Sequence, residues 1–466
     1  MSAISLHHSD CVAWLVAHAA RIAAGEAEAF DSCVTDPPYH LTSIVRRFGK
    51  PGSAAAVVPE GGTGAYARAS RGFMGKEWDG GDVALRPETW RAVFDCLKPG
   101  AHLVAFSGTR TYHRMACAIE DAGFEIRDQL AWTYGSGFPK SHDVSKAIDR
   151  HNGDVREKVR IENVRNPKAP GGGKDGAQGA TQPFIEKALA NGYHEIDGPS
   201  AASAAWQGWG TALKPAWEPI CLARKPLAEK SVAAQVLATG TGAINVDACR
   251  VGFAGAVDQQ SAQVGGRATG KPMSALQGRK DSRAAFTPSD NSAGRWPSNL
   301  CHDGSAEVVA GFPSEAGGQR PPDGKANKTT VPALGNGLGS STVFHADSGS
   351  AARFFYSAKA GPLDRIGTAH ATVKPVDLMR WLVRLITPPA GRVLEPFAGS
   401  GTTGIACMAE GFDCTMIELE ADHVADIERK LAFLRGEGAL AFVEHDRRRD
   451  ERAAEPLGGL FEGFAA

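Results

Sequence analysis

The feature that most constrains the fold is a glycine-rich turn between an apolar strand and a helix, in residues 393–403 with the sequence VLEPFAGSGTT. Val393 and Leu394 predict a buried strand, and Gly399 and Gly401 let the backbone approach a ligand where a Cβ atom would clash. The helix that follows presents free N–H groups at its first turn. This arrangement is typical of an α/β protein that binds a nucleotide-type cofactor, and a dinucleotide stays open at this point.

An acidic residue about twenty positions after the glycine-rich turn indicates that the bound cofactor contains a ribose. The next apolar run, residues 414–418, ends at Glu418. In doubly wound folds, a carboxylate at the end of this strand accepts hydrogen bonds from both hydroxyls of a ribose. Two alternatives stay open: Glu418 could instead cap the N-terminus of the following helix, and Glu420 could accept the hydrogen bonds of the ribose hydroxyls.

Apolar runs alternate with helical patterns in three blocks, which predicts an α/β fold built on a parallel sheet. The first block, residues 4–132, has strands at its start and over residues 32–35, 102–106 and 125–132, and helices over residues 14–20, 88–97 and 112–121. The second has a strand over residues 217–223 and a helix over residues 231–237. The third, residues 375–433, contains the glycine-rich turn.

A second motif, Asp36-Pro37-Pro38-Tyr39, follows the predicted strand at residues 32–35. It therefore lies at the carboxyl end of a strand, where open α/β sheets bind ligands. The prolines fix the backbone and donate no N–H group, which leaves the Asp36 carboxylate and the carbonyl of Pro37 as acceptors. Two acceptors suit an exocyclic amine, and Tyr39 could stack on the base that carries it. The simpler alternative is a proline-stiffened turn with an aromatic ring packed on it.

Taken together, the two motifs resemble the beta group of DNA amino-methyltransferases, in which the catalytic region precedes the cofactor region. They occur here in that order, about 360 residues apart. Four further segments resemble the same family: LHHSD at residues 6–10, WTYGSGFPKSHDVSKAID at 132–149, KPAWEP at 214–219 and HATVKP at 370–375. The resemblance implies a Rossmann-like, S-adenosylmethionine-dependent methyltransferase sheet with circularly permuted motif order and an inserted target-recognition region.

The resemblance also implies roles for individual residues. Asp36, Pro37, Pro38 and Tyr39 would form the catalytic set. S-adenosylmethionine would be bound by residues of several segments, with Asp10 at its adenine and the 370–375 segment at its methionine end: Asp10, Thr372, Lys374, Glu395, Phe397, Gly399, Gly401, Thr402, Thr403 and Glu418. Three positions depart from the family pattern, because Glu395 stands where Asp is commoner, Ala371 where Pro is usual and Ser9 where Gly is usual.

The composition between the blocks predicts how the chain divides. Residues 150–210 are rich in Gly, Pro, Ala and charge, which favours a flexible insertion. Residues 240–350 are polar with spaced apolar anchors, and the resemblance implies target recognition there. The remaining expected parts are the catalytic part of the domain at residues 1–149, the rest of its sheet at 211–239, the cofactor-binding part at 351–435 and a loose tail at 436–466.

Bulk properties limit the class of protein. No apolar stretch approaches the roughly 20 residues of a membrane span, and the N-terminal residues lack a signal-peptide profile, so a cytoplasmic protein without membrane contact is expected. The nine cysteines lack metal-ligand spacing, so no metal is expected. The net charge of −1 does not itself indicate nucleic-acid binding, although residues 150–175 and 250–346 carry modest basic excesses.

The implied function is a site-specific DNA methyltransferase that acts on the N6 amino group of adenine in double-stranded DNA, after flipping the base. An Asp at the first motif position is similar to adenine-N6 enzymes, whereas Ser is commoner in cytosine-N4 enzymes, which remain the alternative. C5 methylation would need a thiolate, and the chain has no Pro-Cys motif. A non-catalytic DNA-binding subunit that has kept the fold is the alternative of a different class.

Two further points stay open in the sequence. A homodimer is compatible with it, and a cognate restriction enzyme is not indicated. A protein or RNA amine methyltransferase is disfavoured, because such enzymes usually carry Asn-Pro-Pro-Tyr with the cofactor motif first. The segment from Phe73 to Asp79 is a candidate loop for closing over a flipped base, and Lys140 and Lys146 are candidate phosphate contacts.

Overall fold

The computed structural model describes residues 2–39, 82–137, 141–154, 158–160, 193–195, 199–253, 255, 258–259, 293–314, 350–358, 364 and 373–436. The predicted site residue Thr372, the Phe73 to Asp79 loop and Lys140 lie outside the described residues. The chain forms two compact units: Tyr134–Ala216 is one, and Met1–Thr133 together with Trp217–Ala466 is the other.

The described strands number eleven. Nine belong to one sheet and two form a separate pair. In chain order they are β1 (Ile4–His8), β2 (Phe30–Thr35), β3 (Leu97–Phe106), β4 (Glu125–Thr133), β5 (Lys158–Arg160), β6 (Tyr193–Glu195), β7 (Trp217–Arg224), β8 (Leu300–His302), β9 (Tyr356–Ser357), β10 (Arg392–Glu395) and β11 (Asp413–Glu418).

The four helices predicted with limits, over residues 14–20, 88–97, 112–121 and 231–237, are found within about three residues of those limits, whereas the helices at Val144–Asn152 and Ala306–Val309 were not predicted. The described α-helices are α1 (Cys11–Ala23), α2 (Pro87–Cys96), α3 (Tyr112–Asp121), α4 (Val144–Asn152), α5 (Val232–Thr239), α6 (Ala306–Val309), α7 (Val376–Ile386), α8 (Thr402–Glu410) and α9 (Ala421–Arg435). Short 3-10 turns lie at Val83–Leu85, Ala204–Trp206, Asp247–Cys249 and Ala351–Phe354. No described helix is long and apolar enough to cross a membrane.

The large sheet has the order β1-β11-β10-β2-β3-β7-β4-β8-β9. The C-terminal strands β10 and β11 pair in parallel with each other and lie between the N-terminal strands β1 and β2. Leu394 of β10 is aligned with Cys33 of β2, so the strand before the glycine-rich turn is the neighbour of the strand before Asp36. The two motifs, far apart in the chain, therefore belong to one continuous α/β sheet. The predicted fold class is confirmed.

One strand of the core sheet, β7, runs antiparallel to both of its neighbours, β3 and β4. The cause is the path of the chain. It leaves the end of β4 at Thr133, forms the Tyr134–Ala216 unit and re-enters at Trp217, which is aligned with Thr133. A chain that leaves and returns at the same edge makes a hairpin, and hairpin strands are antiparallel.

Helices cover both faces of the sheet. Cys33 belongs to a hydrophobic cluster with residues of α1, α2 and α3, including Leu15 and Trp90. The adjacent Ser32 bonds Thr387 after α7, with 2.8 Å between the hydroxyl oxygens. Because alternate residues of a strand face opposite sides, α7 covers the other face. Strands buried on both faces leave the carboxyl edge of the sheet as the place for a site.

The smaller unit contains α4, the antiparallel pair β5–β6 and the Ala204–Trp206 turn. Asp143 caps α4 by accepting a hydrogen bond from the Lys146 N–H, and Gly153 ends the helix in the left-handed conformation. The unit begins at Tyr134, ahead of the insertion expected at residues 150–210.

Candidate active site

The glycine-rich turn adopts the backbone that its sequence requires. Gly399 and Gly401 have φ angles of 53° and 74°, in the left-handed region that favours glycine. Gly401 precedes α8 and supplies no side-chain cap, so the first N–H groups of the helix are not covered by a capping side chain. A Cβ atom at Gly401 would also meet Ile427 at 3.0 Å. The turn therefore presents backbone donors and a helix N-terminus, which attract a carboxylate or another anionic group.

Glu395, at the end of β10, is buried and connects the two motifs. Its Oε1 atom accepts hydrogen bonds from the Thr35 hydroxyl (2.5 Å) and the Phe397 N–H (2.9 Å), and its Oε2 atom accepts one from the Thr403 hydroxyl (2.5 Å). Thr35 immediately precedes Asp36. Burial raises the pKa of Glu395 to about 8, more than these hydrogen bonds lower it. The side chain thus ties the cofactor turn to the catalytic motif, and its direct contact with a cofactor stays a prediction.

Glu418, at the end of β11, faces the same turn. Its carboxylate accepts hydrogen bonds from the N–H groups of Gly399 (2.7 Å) and Glu420 (2.9 Å), and His423 lies 3.5 Å away. Burial acts to raise the pKa of Glu418, but the hydrogen bonds from His423 and the two N–H groups outweigh it and hold the pKa below its usual value. An ionised carboxylate at a strand end next to a glycine turn suits the hydroxyls of a ribose.

Asp10 lies one strand further along this edge. The Ser9 N–H donates to the carbonyl of Glu418 (2.9 Å), and the Asp10 carboxylate caps α1 by accepting from the Ala13 N–H (2.8 Å). The Asp10 side chain is exposed. Its predicted contact with the adenine of a cofactor stays a prediction.

Asp36 and Tyr39 lie in a compact polar cluster with Lys374 and Glu218. The Tyr39 hydroxyl donates to Asp36 Oδ1 (2.9 Å) and Glu218 Oε2 (3.0 Å). The Lys374 ammonium donates to Asp36 Oδ2 (2.7 Å) and lies 3.1 Å from Glu218 Oε2 and from the Tyr39 hydroxyl oxygen. Two carboxylates, one ammonium and one neutral phenol give these four residues a formal charge of −1. We call them the catalytic cluster, after the role predicted for Asp36 and Tyr39.

The cluster is partly buried, with Lys374 its most enclosed member. Burial alone would lower the pKa of Lys374, but Asp36 and Glu218 outweigh it and raise the pKa above its ordinary value. Burial, together with the same two carboxylates, also raises the pKa of the Tyr39 hydroxyl well above its ordinary value. At neutral pH the ammonium is therefore charged and the phenol neutral, so both act as hydrogen-bond donors.

Packing positions the Tyr39 ring. The Thr111 hydroxyl donates to the Tyr39 carbonyl (2.8 Å), and a Cβ atom at Gly108 would lie 3.2 Å from the ring. The ammonium of Lys374 lies 5.4 Å from the ring centroid. The glycine at position 108 therefore gives the ring the room it occupies.

The structure brings together most of the residues predicted for the site. Asp36, Tyr39 and Lys374 contact one another, and Pro37 and Pro38, which separate Asp36 from Tyr39 in the chain, are buried. The Phe397 N–H and the Thr403 hydroxyl bond Glu395, whereas the Thr402 hydroxyl bonds Ser400 within the turn (2.8 Å). Lys374, expected at the methionine end of a cofactor, is paired with the Asp36 carboxylate, and its contact with a cofactor stays a prediction.

Glu218 is the site residue that sequence reasoning did not assign. It belongs to the KPAWEP segment, whose resemblance to a family segment was the only available signal. Its place at the site follows from the reversal of β7, which brings the start of that strand to the carboxyl edge of its neighbours.

The residues present fit S-adenosylmethionine. A helix N-terminus without a side-chain cap suits the carboxylate of its methionine part, and the ionised Glu418 suits its ribose. The catalytic cluster lies one strand away from this turn, linked through Thr35 and Glu395. Among the described residues, no group of three acidic, His or Cys side chains could hold a metal ion.

Comparison with known proteins agrees with this description. The chain matches the family of DNA methylases named N6_N4_Mtase over residues 30–429. It is 39% identical over 57 residues to the type II methyltransferase M.SmaI of Serratia marcescens, and 41% identical over 56 residues to M.XycI of Xanthomonas campestris pv. cyanopsidis. Each match covers 12% of this chain, and only 20% and 19% of the length of those two relatives.

Two solved structures are similar over most of the chain, but loosely. The complex of M1.HpyAVI with SAM is 12% identical, with 92% of this chain and 98% of that chain covered and a TM-score of 0.36. The PvuII DNA methyltransferase, described as cytosine-N4-specific, is also 12% identical, with 92% and 86% covered and a TM-score of 0.36. At such TM-scores neither superposition carries an argument about this chain.

A permuted α/β sheet with an Asp-Pro-Pro-Tyr motif beside a glycine-rich cofactor turn defines the methyltransferase class. The chain belongs to the N6_N4_Mtase family of DNA methylases, because the family match extends over most of its length. The resemblance inferred from the motifs is thereby confirmed, and S-adenosylmethionine is the cofactor of this family.

Proposed function

We propose that this protein is a site-specific DNA methyltransferase that transfers the methyl group of S-adenosylmethionine to the N6 amino group of adenine. The observation that carries the proposal is the hydrogen bond between Thr35 and Glu395 (2.5 Å), which joins the catalytic motif to the cofactor turn. Catalysis of methyl transfer requires the amine and the methyl donor to be held within reacting distance. The place of the two motifs on paired neighbouring strands supports the proposal, because it would bring the amine and the methyl donor close together.

The residues of this chain would contribute position and charge. S-adenosylmethionine, when bound, supplies an electrophilic methyl group on a positively charged sulfur. The Asp36 carboxylate and the Pro37 carbonyl accept the two hydrogens of the amine and so direct its lone pair at the methyl carbon. Positive charge would develop on the nitrogen as the nitrogen–carbon bond forms and the methyl–sulfur bond breaks, and the formal charge of −1 on the catalytic cluster would stabilise it. The sulfur would leave as a neutral thioether that takes the bonding electrons, and the extra proton of the methylated amine would be released to water along its hydrogen bond to Asp36. No covalent enzyme intermediate is needed.

The base must leave the duplex to reach Asp36, because the amine is otherwise paired and stacked. Flipping costs a few kcal/mol, which stacking and hydrogen bonds in the pocket offset. We assign the stacking to the Tyr39 ring, whose hydroxyl is held by Asp36 and Glu218. Double-stranded DNA is the proposed partner.

The remaining residues would bind the cofactor. Glu418 is assigned to the ribose, Gly399 and Gly401 to close backbone approach, and Asp10 to the adenine. We also assign target recognition to residues 240–350, whose described part includes β8, a strand that extends the sheet beyond β4.

Methyl transfer tests the proposal directly. The purified chain is incubated with tritiated S-adenosylmethionine and unmethylated genomic DNA, and label in the DNA is counted. We expect incorporation by the wild type and by Asp121→Ala, which changes an exposed aspartate at the end of α3. Asp36→Ala should lose nearly all activity. Absence of incorporation by a wild-type chain that binds the cofactor would favour the non-catalytic DNA-binding subunit instead.

A further inference from the structure

Glu218 contacts both partners of Asp36. It is the second residue of β7, and its Oε2 atom accepts the Tyr39 hydroxyl (3.0 Å) and lies 3.1 Å from Lys374 Nζ. Its side chain is 19% exposed, compared with 25% for Asp36 and 9% for Lys374. Glu218 is therefore no more exposed than Asp36 and belongs to the partly buried cluster.

The two carboxylates of the cluster share the same two donors. Lys374 Nζ is 2.7 Å from Asp36 and 3.1 Å from Glu218, while the Tyr39 hydroxyl is 2.9 Å from Asp36 and 3.0 Å from Glu218. An ammonium divided between two carboxylates neutralises neither of them completely. Asp36 therefore keeps negative charge and acceptor capacity that an exclusive pair with Lys374 would remove.

We propose that Glu218 is a positioning residue for methyl transfer, which holds Lys374 and the Tyr39 hydroxyl so that Asp36, although it bonds both of them, keeps acceptor capacity for the target amine. The inference rests on the proposed function of Asp36. Without the charge of Glu218, Lys374 has only Asp36 as an anionic partner within the cluster. The ammonium then draws closer to Asp36 and competes with the amine for its oxygens.

Glu218→Gln is the direct variant, because the amide keeps the size of the side chain and one accepting oxygen but removes the charge. Loss of charge-assisted hydrogen bonds of this kind predicts a fall in the methyl-transfer rate of about 10- to 100-fold. KM for S-adenosylmethionine should stay within about twofold, because Glu218 touches the catalytic cluster and not the cofactor turn.

Glu125→Gln is the matched control. Glu125 lies on the same strand pair at the opposite end of β7, where it accepts a hydrogen bond from Arg224 (2.7 Å). Glu125→Gln makes the same chemical change as Glu218→Gln, and it likewise removes a negative charge that faces a cationic side chain. It should leave the rate of transfer at the wild-type value.

The experiment measures single-turnover transfer of tritiated methyl to DNA for the wild type, both glutamine variants, Lys374→Met and the double variant Glu218→Gln/Lys374→Met. If Glu218 acts through Lys374, Glu218→Gln lowers the transfer rate when Lys374 is present. In the Lys374→Met background the same substitution changes the transfer rate less than twofold. The thermal midpoint and cofactor affinity of each variant are measured on the same preparations.

Three results would overturn the inference: a Glu218→Gln rate within twofold of the wild type, an equal loss in the Lys374→Met background, or a loss that follows cofactor affinity or thermal stability instead of the transfer step. Activity of the wild type tests the proposed function separately, whereas the ratio of variant to wild-type rates tests Glu218. The two failures are therefore distinguishable.

Discussion

The buried carboxyl group of Glu395 gives the protein a pH-dependent stability that one substitution should remove. Burial raises the pKa of Glu395 to about 8 from the ordinary value of 4.5, so the folded chain keeps this proton at neutral pH whereas the unfolded chain has released it. The stability that the proton contributes is full below pH 4.5 and is lost as the pH rises to about 8. Glu395→Gln, which cannot ionise, should not show this loss.

The magnitude follows from the two pKa values. One pKa unit corresponds to about 1.4 kcal/mol, so the interval from 4.5 to about 8 corresponds to about 5 kcal/mol in the free energy of unfolding. Between pH 5.5 and 8.0 the expected change is about 3 kcal/mol. The glutamine can still accept the hydrogen bonds of Thr35 and Phe397 and donate to Thr403, so we expect a cost below about 1.5 kcal/mol at pH 5.5.

Urea unfolding followed by tryptophan fluorescence measures this difference, since Trp90 and Trp381 are buried. Wild type, Glu395→Gln and Glu410→Gln are compared at pH 5.5, 7.0 and 8.0. Glu410, the last residue of α8, accepts a hydrogen bond from Arg380 (2.6 Å), so Glu410→Gln is the control for the loss of another hydrogen-bonded glutamate and should not reproduce the pH-dependent difference expected for Glu395→Gln. A Glu395→Gln difference that is constant from pH 5.5 to 8.0 would refute the reasoning.

Three further substitutions test individual contacts. Tyr39→Phe keeps the ring and removes the hydroxyl that bonds Asp36 and Glu218, so the transfer rate should fall about tenfold while cofactor affinity is unchanged; equal rates would contradict the role of the hydroxyl. Gly401→Ala should lower the free energy of unfolding by more than Gly25→Ala. The two glycines have similar φ angles (74° and 75°), but an added Cβ would contact a neighbour, Ile427 at 3.0 Å, only at Gly401. Equal losses by calorimetry would show that this contact does not matter. Glu418→Gln should weaken cofactor binding about tenfold by isothermal titration, and an unchanged affinity would exclude Glu418 as the ribose acceptor.

The parts of the fold that the sequence could predict are those decided locally. Apolar residues predicted β2, β10 and β11, because strands buried on both faces are rich in them, although β2 also buries the polar residues Asp31, Ser32 and Thr35. The sequence 393–403 also predicted its own backbone, since only glycine readily adopts the φ angles found at Gly399 and Gly401.

The parts that local patterns could not give depend on distant segments. The reversal of β7 follows from a chain that leaves at Thr133 and returns at Trp217, and no residue of β7 itself encodes that path. Glu218 consequently had no assigned role, although its segment, KPAWEP at residues 214–219, resembles a segment of the family. The pairing of Lys374 with Asp36 was likewise not predicted, because it joins distant positions that the topology alone brings together, and the expected contact of Lys374 with the cofactor stays a prediction.

The central claim, that Asp36 and the cofactor turn form one site for methylating adenine, is tested most directly by the product. DNA treated with the wild-type chain and S-adenosylmethionine is digested to nucleosides and analysed by mass spectrometry, with Asp36→Ala as control. We expect N6-methyldeoxyadenosine from the wild type and none from the variant. N4-methyldeoxycytidine would contradict the adenine assignment, and equal methylation by Asp36→Ala would contradict the site itself.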